Sequence, residues 1–363
     1  MLCAFHFSMF GLCRLLTFIL LAVALPAAHA LDKVSRNPYL GAIVTDAQTG
    51  DVLFEDNADA RGYPASITKL MTFLVVLEQV DAGQLKLDAP VTVSADAAKT
   101  GGSQVYLKQG EVFTVDDLLY ALIVQSANDA AVALAEHVAG SREGFVARMN
   151  QKAQELGLAN TSFHSPHGLP PGKGQQPDVS SARDLAKLSR ELLRRGPILR
   201  YSSTKERPLR ETSAQPFIMR THNHLIGPVP GCDGLKTGFF TAAGYSLAAT
   251  VERNGRRIIT VVLGSAERVP RDVKTKELVD RGFASSKLTQ FAAKPASATA
   301  TAAPRAAPAA AAAQRAPVPV VKPAATAAGP AATASANVPA QTQQSSTAAQ
   351  PPLVFRVIPP AKP

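Results

Sequence analysis

The chain has 363 residues, 46% of them hydrophobic and 18% charged, with a formal net charge of +10. That is enough apolar sequence for one sizeable domain, with room for a second. Of its three cysteines, Cys3 and Cys13 fall in the first thirteen residues, so the rest of the chain keeps only Cys232, which excludes an intramolecular disulfide there.

Arg14 precedes the apolar run Leu15 to Leu25, which Pro26 breaks, and Ala28-His29-Ala30 supplies a small-x-small cleavage pattern. Residues 1–30 therefore read as a signal peptide cut after Ala30, and the mature chain is expected across the inner membrane, in the periplasm or cell envelope. A retained anchor is the other reading, but the run is shorter than the ~20 apolar residues a spanning helix needs. At the far end, residues 291–363 are nearly all Ala, Pro, Thr, Ser, Val and Gln. Pro spaced among Ala prevents a long helix and little there can form a core, so the stretch reads as a disordered Ala/Pro-rich tail. Arg14 and the tail cations Lys294, Arg305, Arg315, Lys322, Arg356 and Lys362 carry seven of the ten net charges, because the tail has no Asp or Glu. The basic balance is thus mostly a tail property. It fits envelope contact through the basic tail, or a solubilising linker, and not nucleic-acid recognition.

Between these segments lies one domain, residues 31–290. Tyr39 to Asp46 and Asp51 to Glu55 read as a strand and its return around Ala47-Gln48-Thr49-Gly50. From Ser66 to Val80, Ile67, Leu70, Met71, Leu74, Val75 and Leu77 fall at helical spacing, and Gly83 follows the end. Residues 91–112 look loop-like. Thr114-Val115-Asp116-Asp117 resembles a capping box and opens a helix with Leu118, Leu119, Leu122 and Ile123 on its apolar side. Ala130 to Val138 and Glu143 to Leu156 are further helices, stopped by Gly140 and Gly157. A Gly/Pro-rich loop, Pro166 to Pro177, precedes a helix that starts at Ser181-Ala182-Arg183-Asp184 and runs to about Arg195. Tyr245 to Glu252 and Arg257 to Leu263 are β-rich and flank Asn254-Gly255, a strong hairpin signal. A helix from Pro270 to Phe283 closes the domain. Hairpin, helices, strands and a final helix, without βαβ alternation, predict an α+β fold: an antiparallel sheet flanked by helices, with a mostly helical subdomain.

Three short motifs carry the chemistry. In Ser66-Ile67-Thr68-Lys69, residues three apart share a helix face, so hydroxyl and amine can meet. A serine hydroxyl needs a base, and a lysine becomes one when burial and a second cation lower its pKa. Ser66 near a helix start would also have free N–H groups for an oxyanion. Ser126-Ala127-Asn128 lies between two helices, where a tight loop can present a hydroxyl and an amide. Lys236-Thr237-Gly238 follows Gly234 and reads as extended, with Lys236 and Gly238 on one face and Thr237 on the other. Taken singly, these are a helix cap, an N-cap and a strand end with a solvated lysine. Together and in this order they match the S-x-x-K, S-D-N and K-T-G set of β-lactamases and penicillin-binding proteins, with Ala127 in place of Asp.

The chain resembles the low-molecular-mass penicillin-binding proteins that act as serine D-alanyl-D-alanine carboxypeptidases. The likeness covers roughly residues 35 to 285 and includes Pro64 to Thr72, Ser126 to Ala131, Leu156 to Phe163, Pro166-His167-Gly168-Leu169, Ser180 to Leu185 and Asp233 to Gly238. It implies Ser66 as nucleophile, Lys69 as its base and Ser126 as proton relay toward the leaving amine. It implies that Asn128 holds the substrate amide, Lys236 adds positive potential and Thr237 binds the terminal carboxylate. Gly238 allows close approach, the backbone N–H groups of Ser66 and Phe239 form the oxyanion hole, and Arg271 aligns with a carboxylate-binding arginine. The implied substrates are peptidoglycan stem peptides, with β-lactam antibiotics as covalent inhibitors and no cofactor. Two departures stand out: no second β-rich domain or amphipathic membrane helix is visible, and Phe240 stands where threonine is usual.

Other readings are weaker. A β-lactamase needs a glutamate to activate the deacylating water, and Glu155 to Asn160 misses the Glu-x-x-Leu-Asn pattern by one residue. A D,D-endopeptidase that cuts cross-links would use the same residues. A non-catalytic envelope scaffold suits the tail and its apolar patch Leu353 to Ile358, but not three intact motifs. Pro166 prevents a helix that would pair His164 with His167, and His222/His224 lack an acidic partner at ligand-like spacing, so no metal is expected. Cys232 reads as a packing residue.

Overall fold

The computed structural model describes residues 31–285 except Thr212 and Ala214, so the readings of residues 1–30 as leader and 291–363 as tail lie outside the described residues. The sheet is built first from the chain's start. Strand β1 (Gly41–Asp46) turns through residues 47–50 into β2 (Val52–Asp56). Three strands then return from the far end of the domain: β7 (Cys232–Phe240), β8 (Gly244–Arg253) and β9 (Arg256–Ser265), in the antiparallel order β2-β1-β9-β8-β7. The β8–β9 hairpin turns at Asn254 and Gly255, both with positive φ (53° and 74°), the geometry that favours Asn-Gly.

Side-chain alternation makes the sheet two-faced. Ala42, Val44, Ala249, Val251, Ile258 and Val262 face the closing helix α8 (Arg268–Ala284) and its Leu278 and Val279. Ile43, Ala248, Ile259, Val261 and Leu263 face the larger core, which they share with α1 (Lys69–Asp81) and α6 (Ala182–Arg195). A 3-10 turn, Ala65–Thr68, leads into α1, so Ser66 lies just ahead of the α-helix. The expected helix from Ser66 to Val80 is thus a tight turn and an α-helix in series.

The helical subdomain fills the interval between α1 and α6. The segment 91–112, read as loop, holds strand β3 (Pro90–Thr92) and helix α2 (Ala95–Lys99), and β4 (Val112–Thr114) pairs with β3. Helices α3 (Val115–Ile123), α4 (Asn128–Ala139) and α5 (Arg142–Glu155) follow. α4 is buried on all sides from Asn128 to Ala135, and small alanines let its neighbours approach. The caps at Thr114 and Ser181 match the sequence signals, accepting from the Asp117 and Asp184 amides, and Ser141 caps α5 by accepting from the Gly144 amide. A short helix α7 (Ile198–Ser202) and a small hairpin, β5 (Glu206–Leu209) with β6 (Phe217–Arg220), complete the described chain. The α+β expectation holds.

Candidate active site

The site forms where the sheet edge meets the start of α1. Ser66 comes from the 3-10 turn and Lys69 from the first residue of α1, so their three-residue spacing places both groups on one side. Lys69 is fully buried. Its Nζ donates to Ser66 Oγ (3.0 Å), Asn128 Oδ1 (2.7 Å) and the carbonyl of His167 (2.7 Å). Burial is the largest cause holding the Lys69 amine well below its ordinary pKa; the nearby Lys236 charge adds to it, while Asp178 and Asp129 oppose it.

The chain is bent to reach this arrangement. Ala65 and Ser126, neither of them glycine, hold positive φ (48° and 61°), which costs on the order of 1 kcal/mol or more each. The loop from His164 to Gly168 is laced onto α1 and the turn before it. Thr72 Oγ1 donates to the Pro166 carbonyl (2.6 Å), and Asp178 accepts from Thr68 Oγ1, Ser165 Oγ and the amides of His164 and Ser165. Gly168 has φ 80°, and a Cβ there would lie 1.9 Å from the Ala65 carbonyl oxygen. Only glycine lets this loop pass over the turn that carries Ser66 and present the His167 carbonyl to Lys69.

The second motif is not a helix cap. α4 begins at Asn128 with Ala127 as N-cap and no side-chain capping bond, while Ser126 is buried and lines the cleft beside Ser66. Asn128 turns inward: Oδ1 accepts from Lys69, and Nδ2 donates to the Gly101 carbonyl (2.7 Å). The next residue, Asp129, accepts from the amides of Val105 and Leu107 and so ties the loop carrying Ser103 to α4.

The third motif lies in β7, the outer strand of the sheet. It runs against the turn that carries Ser66, and a Cβ on Gly238 would sit 2.4 Å from the Pro64 carbonyl oxygen. Lys236 is buried and its Nζ donates to the Thr237 carbonyl (3.0 Å). Burial, then the Arg271 charge, lowers its pKa to about 7. Phe239 is 51% exposed and stacks on Tyr245 with ring centroids 4.1 Å apart, and Phe240 stacks on Tyr63.

Six of the nine residues expected at the site, Ser66, Ser126, Thr237, Gly238, Phe239 and Arg271, line one cleft of about 310 Å³. The other three, Lys69, Asn128 and Lys236, are buried and bonded to the lining residues or to one another. Sequence reasoning did not find the His167 carbonyl, Asp178, Arg268 or the cleft position of His222 and His224. His167 acts through its backbone, which no residue-type signal reports. The two histidines stand fourteen and twelve residues before Lys236, and only the return of β7 brings them to the same wall.

The family model of D-alanyl-D-alanine carboxypeptidases, peptidase family S11, matches residues 38–267. The chain belongs to this carboxypeptidase family. Membership makes it a serine-type carboxypeptidase of the penicillin-binding class. It is 39% identical over 279 residues to the D-alanyl-D-alanine carboxypeptidase DacF of Bacillus subtilis, a match that covers 74% of this chain and 71% of that one. Identity to DacC of Escherichia coli is 39% over 269 residues, or 71% of this chain and 65% of that one. Among solved structures, penicillin-binding protein 5 of Haemophilus influenzae superposes with a TM-score of 0.63 at 34% identity, covering 68% of this chain and 71% of that one. Penicillin-binding protein D2 of Listeria monocytogenes, solved with ampicillin bound, gives 0.61 at 33% identity and covers 68% of this chain and 97% of its own. Among the described residues no helix is long and apolar enough to cross a membrane.

Proposed function

We propose that this carboxypeptidase removes the terminal D-alanine from peptidoglycan stem peptides through an acyl-enzyme on Ser66. The observation that carries the reading is the 3.0 Å contact between Ser66 Oγ and a fully buried lysine amine. When Lys69 is neutral, its two N–H groups are held by Asn128 Oδ1 and the His167 carbonyl, which leaves the nitrogen lone pair facing the Ser66 hydroxyl. Ser66 Oγ then bonds to the carbonyl carbon between the two terminal D-alanines while its proton passes to Lys69 Nζ. The backbone N–H groups of Ser66 and Phe239 hold the oxyanion. As the C–N bond breaks, Ser126 relays a proton to the leaving amine, and free D-alanine departs. Water then attacks the ester, and Lys69 takes its proton. Asn128 positions Lys69, and its second Nδ2 hydrogen remains for the substrate amide. Thr237 and Arg271 meet the terminal carboxylate, and Lys236 keeps the local potential positive. Gly238 keeps β7 close to the nucleophile turn.

The Listeria neighbour binds ampicillin and cefotaxime. We extend that chemistry here: a β-lactam ring amide occupies the scissile position and acylates Ser66. The same proposal places the mature enzyme outside the inner membrane, where its substrate lies, with the leader removed and the basic tail against anionic envelope material. The test is mass spectrometry of a muropeptide ending in D-Ala-D-Ala, with Ser66→Ala as control. Loss of one alanine by the wild type alone supports the proposal. Cleavage only of a cross-linked dimer moves the reading to an endopeptidase, and inertness toward both overturns it.

A further inference from the structure

Two guanidinium groups, three residues apart on the first turn of α8, line the cleft: Arg268 and Arg271. They are placed differently. The Arg271 side chain is 3% exposed, and three of its five N–H groups are engaged: Nε and Nη2 on Asp272 Oδ1 (2.9 and 2.6 Å), Nη1 on the Ser246 carbonyl (3.1 Å). The Arg268 side chain is 47% exposed, and its ion pair with Asp272 Oδ2 is 3.7 Å long, beyond hydrogen-bond range. Arg268 therefore adds an exposed set of donors to the two N–H groups that Arg271 keeps, while Asp272 holds Arg271 in place. Among the described residues no carboxylate lines the cleft. Behind Arg268 the cations run inward in series. The Arg268 charge acts on Arg271, Arg271 on Lys236 and Lys236 on Lys69, each lowering the next group's pKa in addition to the larger effect of burial.

We propose that Arg268 is a further specificity-determining residue, whose exposed guanidinium joins Thr237 and Arg271 on the carboxylate α to the leaving nitrogen of the substrate. This rests on the peptidase reading above and deepens it. A guanidinium accepts a carboxylate in a two-point contact, and a half-exposed one can reach out to it and return. Because the carboxylate is bound in both ground and transition state, the contribution appears in KM rather than in kcat. Because Arg268 is exposed, it is screened by salt, unlike the buried cations behind it.

The experiment measures hydrolysis of a short peptide ending in free D-Ala-D-Ala by the wild type, Arg268→Gln and Arg268→Lys, from low salt to about 1 M, where the Debye length is near 3 Å. At low salt Arg268→Gln is expected to lose about three- to tenfold in kcat/KM, through KM, the range of a partly screened charge-assisted contact. The gap closes at high salt, and Arg268→Lys keeps more than half of the wild-type value. A loss in kcat that persists at high salt would mean that Arg268 acts only by bracing Asp272 and Arg271, and would overturn the proposal. So would an unchanged KM in Arg268→Gln, or a lysine variant no better than the glutamine one. If the wild type itself were inert toward the peptide, the peptidase reading would fail, a result distinct from all of these.

Discussion

Cations in this protein live under two opposite regimes. On the outer side of α1 and α6, Arg195 pairs with Glu78, Asp81 and Glu191, and Lys152 reaches Glu78 and Glu155. There the carboxylates win over partial burial, and the pKa values of both cations rise. In the cleft, Lys69 and Lys236 are buried with carbonyl, amide and hydroxyl partners and no carboxylate in contact. Burial wins, helped by Lys236 at Lys69 and by Arg271 at Lys236, and both pKa values fall. The same residue type is a structural tie in one place and an amine with a depressed pKa in the other. What separates them is whether an acid comes along when the cation leaves water.

The sharpest way to break this contrast is to remove the hydroxyl that the Lys69 amine meets. Ser66→Ala is expected to lower turnover by at least about 10³-fold, as nucleophile deletions do. Its thermal midpoint should stay within a few degrees of wild type, because Lys69 keeps two acceptors. Retained turnover in a clean preparation would exclude Ser66 as nucleophile. Next in size is Gly168→Ala, which forces a Cβ against the Ala65 carbonyl oxygen in a left-handed conformation. It should cost about 3 kcal/mol or more in urea unfolding, with activity lost in parallel as the His167 carbonyl moves off Lys69.

Lys236→Gln sharpens the contrast from the electrostatic side. Removing a positive neighbour lets Lys69 hold its proton more tightly, so its pKa rises. The acid limb of the penicillin acylation profile should move to higher pH; a limb unmoved or moved downward would show that Lys236 does not tune Lys69. A smaller effect is expected at His167, where burial and then Lys69 lower the imidazole pKa to about 3, and its Nδ1 accepts from the Leu169 amide. The folded state excludes a proton that the unfolded chain takes up below about pH 6.5. Stability from this group is therefore complete above that pH and is lost as pH falls toward 3. For a partly exposed ring this amounts to about 1 kcal/mol at pH 5. His167→Asn, which keeps an acceptor, should show a shallower fall in thermal midpoint between pH 7 and 5. The smallest effect belongs to the paired surface: Lys152→Gln should change stability by less than about 1 kcal/mol and leave turnover unaltered.

The two regimes were not equally legible in the sequence. Ser66 and Lys69 could be paired from their spacing because a helical turn brings i and i+3 together without help from the rest of the chain. The Asn-Gly hairpin, the caps at Thr114 and Ser181 and the α+β order were readable for the same local reason. β3, α2 and α7 are three to five residues long, too short for a period to register. The His167 carbonyl, Asp178 and Arg268 reach the site through tertiary return, where residue type carries little information. Arg271 was placed at the cleft by alignment, but only the geometry shows that Asp272 and Ser246 already engage it and that Arg268 does not share that constraint.

The central claim is that Lys69 is a neutral amine at working pH and acts on Ser66. The most direct measurement is the pH dependence of penicillin acylation, followed by intact mass, with the adduct located by peptide mapping. The account requires a single adduct on the peptide containing Ser66 and an acid limb well below pH 10.5, the ordinary lysine value. An adduct elsewhere, or a rate that rises only near pH 10.5, would contradict it.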